Sequence, residues 1–157
     1  MRFLFLNSLI ALLIFSCTKK QAPEDVLRKY VDYRFSASQT RDGAIEMLTG
    51  ELKEKLKSLS EEELKIFLNS TNMTKKSLSI QSSNCSGDKC KIVYILKYEK
   101  SDQGKKPYVV ENKKEAVLAK EEDSWKVSEV SNIKTYIESP EIGISSKSGS
   151  KSEGEDL

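Results

Sequence analysis

The chain has 157 residues, with 26 Lys and Arg against 24 Asp and Glu and no histidine, for a formal net charge of +2. The balanced charge argues against a nucleic-acid binder, which concentrates basic residues. The missing imidazole excludes His-based triads, His general bases and His metal sites within the chain. The length fits one domain. Its three cysteines, Cys17, Cys85 and Cys90, form an odd set, so one of them is expected to differ in role from the other two.

Met1-Arg2 is followed by an apolar run, Phe3 to Phe15, broken only by Asn7 and Ser8. That run is shorter than the about 20 residues of a spanning helix and suits the apolar core of a secretory signal. It stops at Cys17, after which Thr18-Lys19-Lys20-Gln21 is polar. Ile14-Phe15-Ser16-Cys17 resembles the lipobox of bacterial lipoproteins, in the relaxed form of some diderm bacteria. The resemblance implies cleavage before Cys17 and acylation there, since a soft sulfur nucleophile can form the thioether that carries diacylglycerol. It implies a lipid anchor in the bacterial cell envelope, and Thr18, being other than Asp, implies the outer membrane. Residues 1–16 are thus expected to be a signal peptide and 17–22 an acylated tether.

From Pro23 the pattern is helical. Pro23 suits a first helical position and Glu24-Asp25 suit a first turn. Val26, Leu27, Tyr30, Val31 and Phe35 recur at helical spacing, with Arg28, Lys29, Asp32 and Arg34 on the opposite side. This predicts a helix from 23 to about 38. Thr40 is a candidate N-cap for a second helix carrying Ala44, Ile45 and Leu48, with Gly50 as a stop or kink. A segment with Leu52, Leu56 and Leu59 follows. In LSEEEL, Ser60 and Glu63 spell a capping box, with Leu59 and Leu64 at staple positions, for a helix to about Asn69.

The period then changes. Leu78 and Ile80 alternate with serines, and Cys90, Ile92, Tyr94, Leu96 and Tyr98 alternate with a mixed second set. A turn at 101–106, a strand at 108–120, a turn at EEDS and a strand from Trp125 to about Ile137 complete four antiparallel strands. Helices followed by a meander predict an α+β fold, with N-terminal helices packed on a curved antiparallel sheet, over residues 23–138. Residues 139–157 are rich in Ser, Gly and charge and are expected to be disordered.

The opening helix, PEDVLRKYVDYRF, and the Trp125-Lys126-Val127 strand resemble small bacterial lipoproteins of the nuclear-transport-factor-two-like (cystatin-like) class. The resemblance covers about residues 23 to 137. It implies a sheet curled around a conical pocket, with Tyr30, Tyr94, Tyr98 and Trp125 as candidate lining. For Tyr94 and Tyr98, on a strand's apolar face, core packing is the simpler account.

Cys85 and Cys90 flank Ser86-Gly87-Asp88-Lys89, four residues that can form a hairpin turn and bring the thiols opposite one another. Export favours their oxidation to a structural disulfide; the C-x4-C spacing lacks the C-x-x-C signature of a redox pair, and no His or further Cys suggests a metal. Asp32, Tyr30, Tyr33, Tyr94 and Tyr98 are acid–base candidates by type only, and Glu111, Glu115 and Glu129 belong to strands whose inward face the pattern does not settle. No nucleophile, phosphate loop, metal cluster or cofactor motif stands out. The expectation is a non-catalytic domain, held to a membrane by lipid, that binds a small ligand or an envelope protein and no nucleic acid. The alternative is a small isomerase or lyase of the same fold.

Overall fold

The structure, a computed structural model, describes residues 21–68, 72–102, 104 and 106–138. Cys17, the leader, most of the tether and the tail expected from residue 139 lie outside the described residues. Four helices, α1 (Pro23–Arg34), α2 (Arg41–Glu46), α3 (Gly50–Ser58) and α4 (Glu61–Leu68), precede four strands, β1 (Met73–Ser86), β2 (Lys89–Lys100), β3 (Tyr108–Glu121) and β4 (Ser124–Glu138). The strands form one antiparallel sheet in the order β1-β2-β3-β4. The architecture is α+β.

α1 ends at Arg34, four residues before the expected limit, because polar side chains beyond it take the last carbonyls. Ser36 Oγ donates to the Tyr33 carbonyl at 2.9 Å, and Gln39 Nε2 donates to the Arg34 and Ser36 carbonyls, both at 3.1 Å. Such side-chain bonds satisfy the acceptors that a helix end leaves open. Thr40 then caps α2, its Oγ1 accepting from the Gly43 N–H at 3.1 Å. α2 stops short of Leu48, which is fully buried and forms a parallel bridge to Val127. Gly50 does not stop a helix. It opens α3, with a φ of +60° that a side chain would oppose.

The capping box before α4 is formed in both directions. The Glu63 carboxylate accepts from the Ser60 N–H at 2.8 Å, and Ser60 Oγ accepts from the Glu63 N–H at 3.3 Å. Arg41 locks the α3–α4 junction, donating to the carbonyls of Lys57 (3.1 Å) and Leu59 (2.9 Å) and to the Glu61 carboxylate (2.9 Å).

The meander's register is set by two tight turns. Ser86 pairs with Lys89 around Gly87-Asp88, and Gly87 holds φ +56° at the first central position, where a type II′ turn requires a positive φ. Glu121 pairs with Ser124 around Glu122 and Asp123, both at positive φ (50° and 66°), the signature of a type I′ turn. With these registers, side chains directly opposite on neighbouring strands share a face. One face carries the rows Cys90–Leu118–Val127, Ile92–Ala116–Val130, Tyr94–Lys114, Leu96–Asn112 and Tyr98–Val110. Leu27, Tyr30, Val31, Leu56 and Leu64 of the helices join these rows in one core. The other face is laced by Lys97–Glu111 and Lys91–Glu115 ion pairs at 2.6 and 3.5 Å. Ladder interruptions leave Lys76 and Gln81 of β1, and Ser128 and Ile133 of β4, without an opposite residue. Such bulges bend and twist a strand.

Ser60→Ala removes one half of the box and lowers stability by about 1 kcal/mol. Backbone and side-chain hydrogen bonds from Ser60 hold the Glu63 carboxyl below its ordinary 4.5. A depressed carboxyl stabilises the fold above its unfolded pKa, and that support is lost as pH falls through the folded value. The difference in melting temperature between wild type and Glu63→Gln is therefore expected to shrink as pH drops below about 4.5. At the I′ turn, Glu122→Asn relieves a left-handed residue and raises stability by about 0.5–1 kcal/mol in chemical denaturation.

Candidate functional site

Helices and sheet meet imperfectly where the inner rows turn from aliphatic to polar. A cavity of about 330 Å³ lies there, between Tyr30, Val31 and Arg34 of α1, Phe35 just beyond it, Leu52, Phe67, and the inner side chains of β2 and β3. Its volume is at the small end of the range for ligand pockets. The reason it stays open is visible in β3. Along that strand Val110, Ala116 and Leu118 are buried, and between them, at the same period-two positions, stand Asn112 and Lys114. A polar pair in an apolar register cannot be packed over by aliphatic side chains without loss of hydration.

Asn112 is only 8% exposed. Its Nδ2 donates to the Tyr98 hydroxyl at 3.3 Å, and its Oδ1 has no hydrogen-bond partner. Arg34, at the last turn of α1, swings its guanidinium over the Phe67 ring, 3.9 Å from the centroid, and donates through Nη2 to the Phe67 carbonyl at 2.7 Å. Its Nη1 is buried without an acceptor. Lys114 sits across the β2–β3 ladder from Tyr94, half-buried. Burial lowers the pKa of the Arg34 guanidinium; burial first, and then the Arg34 charge, lowers that of the Lys114 ammonium. No carboxylate lines the cavity, and neither cation makes an ion pair among the described residues. Burial also pushes the Tyr94 phenol well above its usual range, with Tyr30 adding to the effect, and raises Tyr30 itself against the opposing pull of Arg34. Both phenols are therefore held in the neutral form at neutral pH.

Of the residues expected to line a pocket, Tyr30, Tyr94 and Tyr98 do so, and Tyr98 also stacks obliquely on Phe35 with centroids 5.7 Å apart. Trp125 does not. It opens β4 opposite Lys120, whose ammonium lies 5.2 Å from its ring, while the cavity meets β4 at Val130, roughly 17 Å further along at strand spacing. Cys85 and Cys90 lie at the β1–β2 turn as register partners at disulfide distance, Cα atoms 3.9 Å apart, with Cys90 fully buried among the apolar rows. Asp32 pairs with Lys75, Glu111 and Glu115 with lysines of the outer face, and Glu129 is exposed, so none reaches the cavity. Arg34 was placed with the polar side of its helix and instead enters the site. Lys114 and Asn112 also belong to the site, carried inward by the alternation through Val110, Ala116 and Leu118. Among the described residues, no group of three or more His, Cys, Asp or Glu side chains is arranged to hold a metal ion.

No family model and no curated protein sequence matches the chain. Among solved structures, it is similar to the intermembrane space region of the chloroplast protein ARC6. The two share 16% identity and a TM-score of 0.52, over 69% of this chain and 92% of that one. At that identity the likeness is one of fold alone. Two others are more distant and carry no inference. One is a SEC-C motif containing protein from Rhodopseudomonas palustris, with 14% identity, 72% and 80% coverage and a TM-score of 0.48. The other is TraM, an NTF2-like potential transfer protein from the Gram-positive conjugative plasmid pIP501, with 14% identity, 69% and 92% coverage and a TM-score of 0.39.

The lowered pKa of Lys114 has a definite sign for stability. The fold disfavours the ammonium, so the penalty is in force below the folded pKa and is relieved as pH rises through it. Lys114→Met, of similar length and apolar, is expected to raise the melting temperature at pH 7 by about 2–5 °C in calorimetry.

Proposed function

We propose that this chain is a bacterial cell-envelope lipoprotein, acylated at Cys17 and sorted to the outer membrane, whose nuclear-transport-factor-two-like domain holds a small ligand without transforming it. The lipobox-like Ile14-Phe15-Ser16-Cys17 supports the anchor, and the order of four helices before a four-stranded meander supports the fold type. The observation that carries the binding role is the cavity. Its walls are mostly apolar and aromatic, a few polar groups converge on it, and no carboxylate stands there to serve as an acid or base. That is the build of a receptor pocket. An envelope protein is the other occupant the same face could accept.

One observation favours a second reading, a small lyase or isomerase. Lys114 is the kind of desolvated amine that can act as a base or form a Schiff base. Tyr94 and Tyr98 would then donate to developing negative charge. The binding reading needs no such step, and it accounts for the unpaired Arg34 as well.

The anchor is tested on full-length protein extracted from membranes. Intact mass is expected to show loss of residues 1–16, a diacylglyceryl group with a further acyl chain, and a gain of about 2 Da on reduction for the Cys85–Cys90 bond. Cys17→Ser is expected to abolish the lipid mass and cleavage before position 17. Wild-type protein recovered without lipid, or cut elsewhere, overturns the anchor.

A further inference from the structure

Resting on the reading of the cavity as a ligand pocket, we infer that its ligand is a small amphipathic anion, a carboxylate or phosphate monoester, that also carries a hydrogen-bond donor, held between Arg34 and Lys114 with the donor received by Asn112.

The sheet itself supplies the contrast. On its outer face Lys97 and Lys91 have Glu111 and Glu115 as partners, on the neighbouring strand and within 2.6 and 3.5 Å. On its inner face Lys114, one strand position from that ion-pair lattice, faces a tyrosine and no acid. Arg34 reaches the same space from the helix layer, held by the ring and carbonyl of Phe67, and likewise makes no ion pair among the described residues. Two like charges brought together in a partly desolvated space oppose one another and the fold. An anion between them reverses both penalties at once.

The unsatisfied atoms specify the rest. Arg34 Nη1 is a donor without an acceptor, and Asn112 Oδ1 is an acceptor without a donor. A bare anion would answer only the first. A hydroxyl or amide N–H on the same molecule answers the second. The rest of the wall is mostly apolar and aromatic, with Leu52, Phe67, Met73, Leu96 and Val130 among its residues, which suits an aliphatic or aromatic body. At about 330 Å³ the space takes a molecule of about a dozen non-hydrogen atoms and excludes a lipid chain of full length.

The test uses the full chain in a nonionic detergent and three probes of one shape: 3-phenyllactate, its methyl ester, and 3-phenylpropanoate. Phenyllactate is expected to bind with a Kd below about 1 mM by calorimetry or ligand-observed NMR. The ester, without the charge, is expected to bind at least about 10-fold more weakly, and phenylpropanoate, without the hydroxyl, about 3–10-fold more weakly. Lys114→Met, expected to fold at least as well as wild type, should weaken phenyllactate about 10-fold or more and leave the ester unchanged. Arg34→Gln should do the same, with Arg34→Lys retaining part of the affinity. Lys113→Met, on the outer face, should change nothing. If the ester binds as tightly as the acid, or Lys114→Met binds the acid like wild type, the anion inference is overturned while the pocket stands. If none of the three probes binds at 10 mM, the pocket reading falls with it.

Discussion

The inner-face register of β2 against β3 is the constraint on which the rest of the structure depends. Side chains along a strand alternate with period two, so a slip of one residue would send Ile92, Tyr94 and Leu96 to the ion-paired face and bring Lys91 and Lys97 into the core. The two tight turns fix the registers on either side of it, β1 against β2 through Gly87 and β3 against β4 through two residues in the left-handed region. The cysteine pair sits two positions from the first of these turns, where it closes the ladder's end. Once the register is fixed, the positions of Asn112 and Lys114 follow. They occupy the middle of an otherwise apolar face because Val110 and Ala116 do.

The fold then divides along its strands. Near the turns, the rows from Cys90 to Val127 are fully buried, and Leu48 with its neighbours joins the β4 edge there: the Thr49 N–H donates to the Val127 carbonyl and the Val127 N–H to the Met47 carbonyl, at 3.0 and 2.9 Å. This end protects an edge that would otherwise invite pairing with another chain. Toward the far end aromatic and polar residues replace aliphatic ones, and the cavity opens. Stability and the site thus belong to different lengths of the same strands. A packed half can carry a half in which buried cations cost free energy, and sites commonly hold such costs.

Much of this was legible in the sequence. The four strands and their order, the capping box at Ser60 and Glu63, the cap at Thr40 and the facing cysteines all depend on local patterns of one turn or one alternation. What escaped depends on contacts distant in the chain. Arg34 follows the polar side of α1 by position, yet at the helix end its long side chain can turn back over Phe67, a partner 33 residues away. Trp125 resembles a pocket residue by type, but the register places it at the packed end of the sheet. Lys114 shows the converse. Its inward position was readable from Val110, Ala116 and Leu118, and a charge there runs against every expectation for a core, so the residue type masked the pattern.

The division of labour between the two cations follows from their chemistry. Arg34 must hold a fixed direction while exposed to an apolar wall. A guanidinium is weakly hydrated, stacks on an aromatic face, and has donors to spare, so it can be pinned through Nη2 to the Phe67 carbonyl while Nη1 remains without an acceptor. An ammonium in that place would carry its hydration into contact with Phe67. Lys114 has the opposite surroundings. It rises from the sheet floor opposite Tyr94, with a flexible stem able to lay its methylenes along the wall. In the proposed binding role, a guanidinium pinned to the helix layer would set a ligand's direction and an ammonium on a long stem from the sheet would adjust to its size.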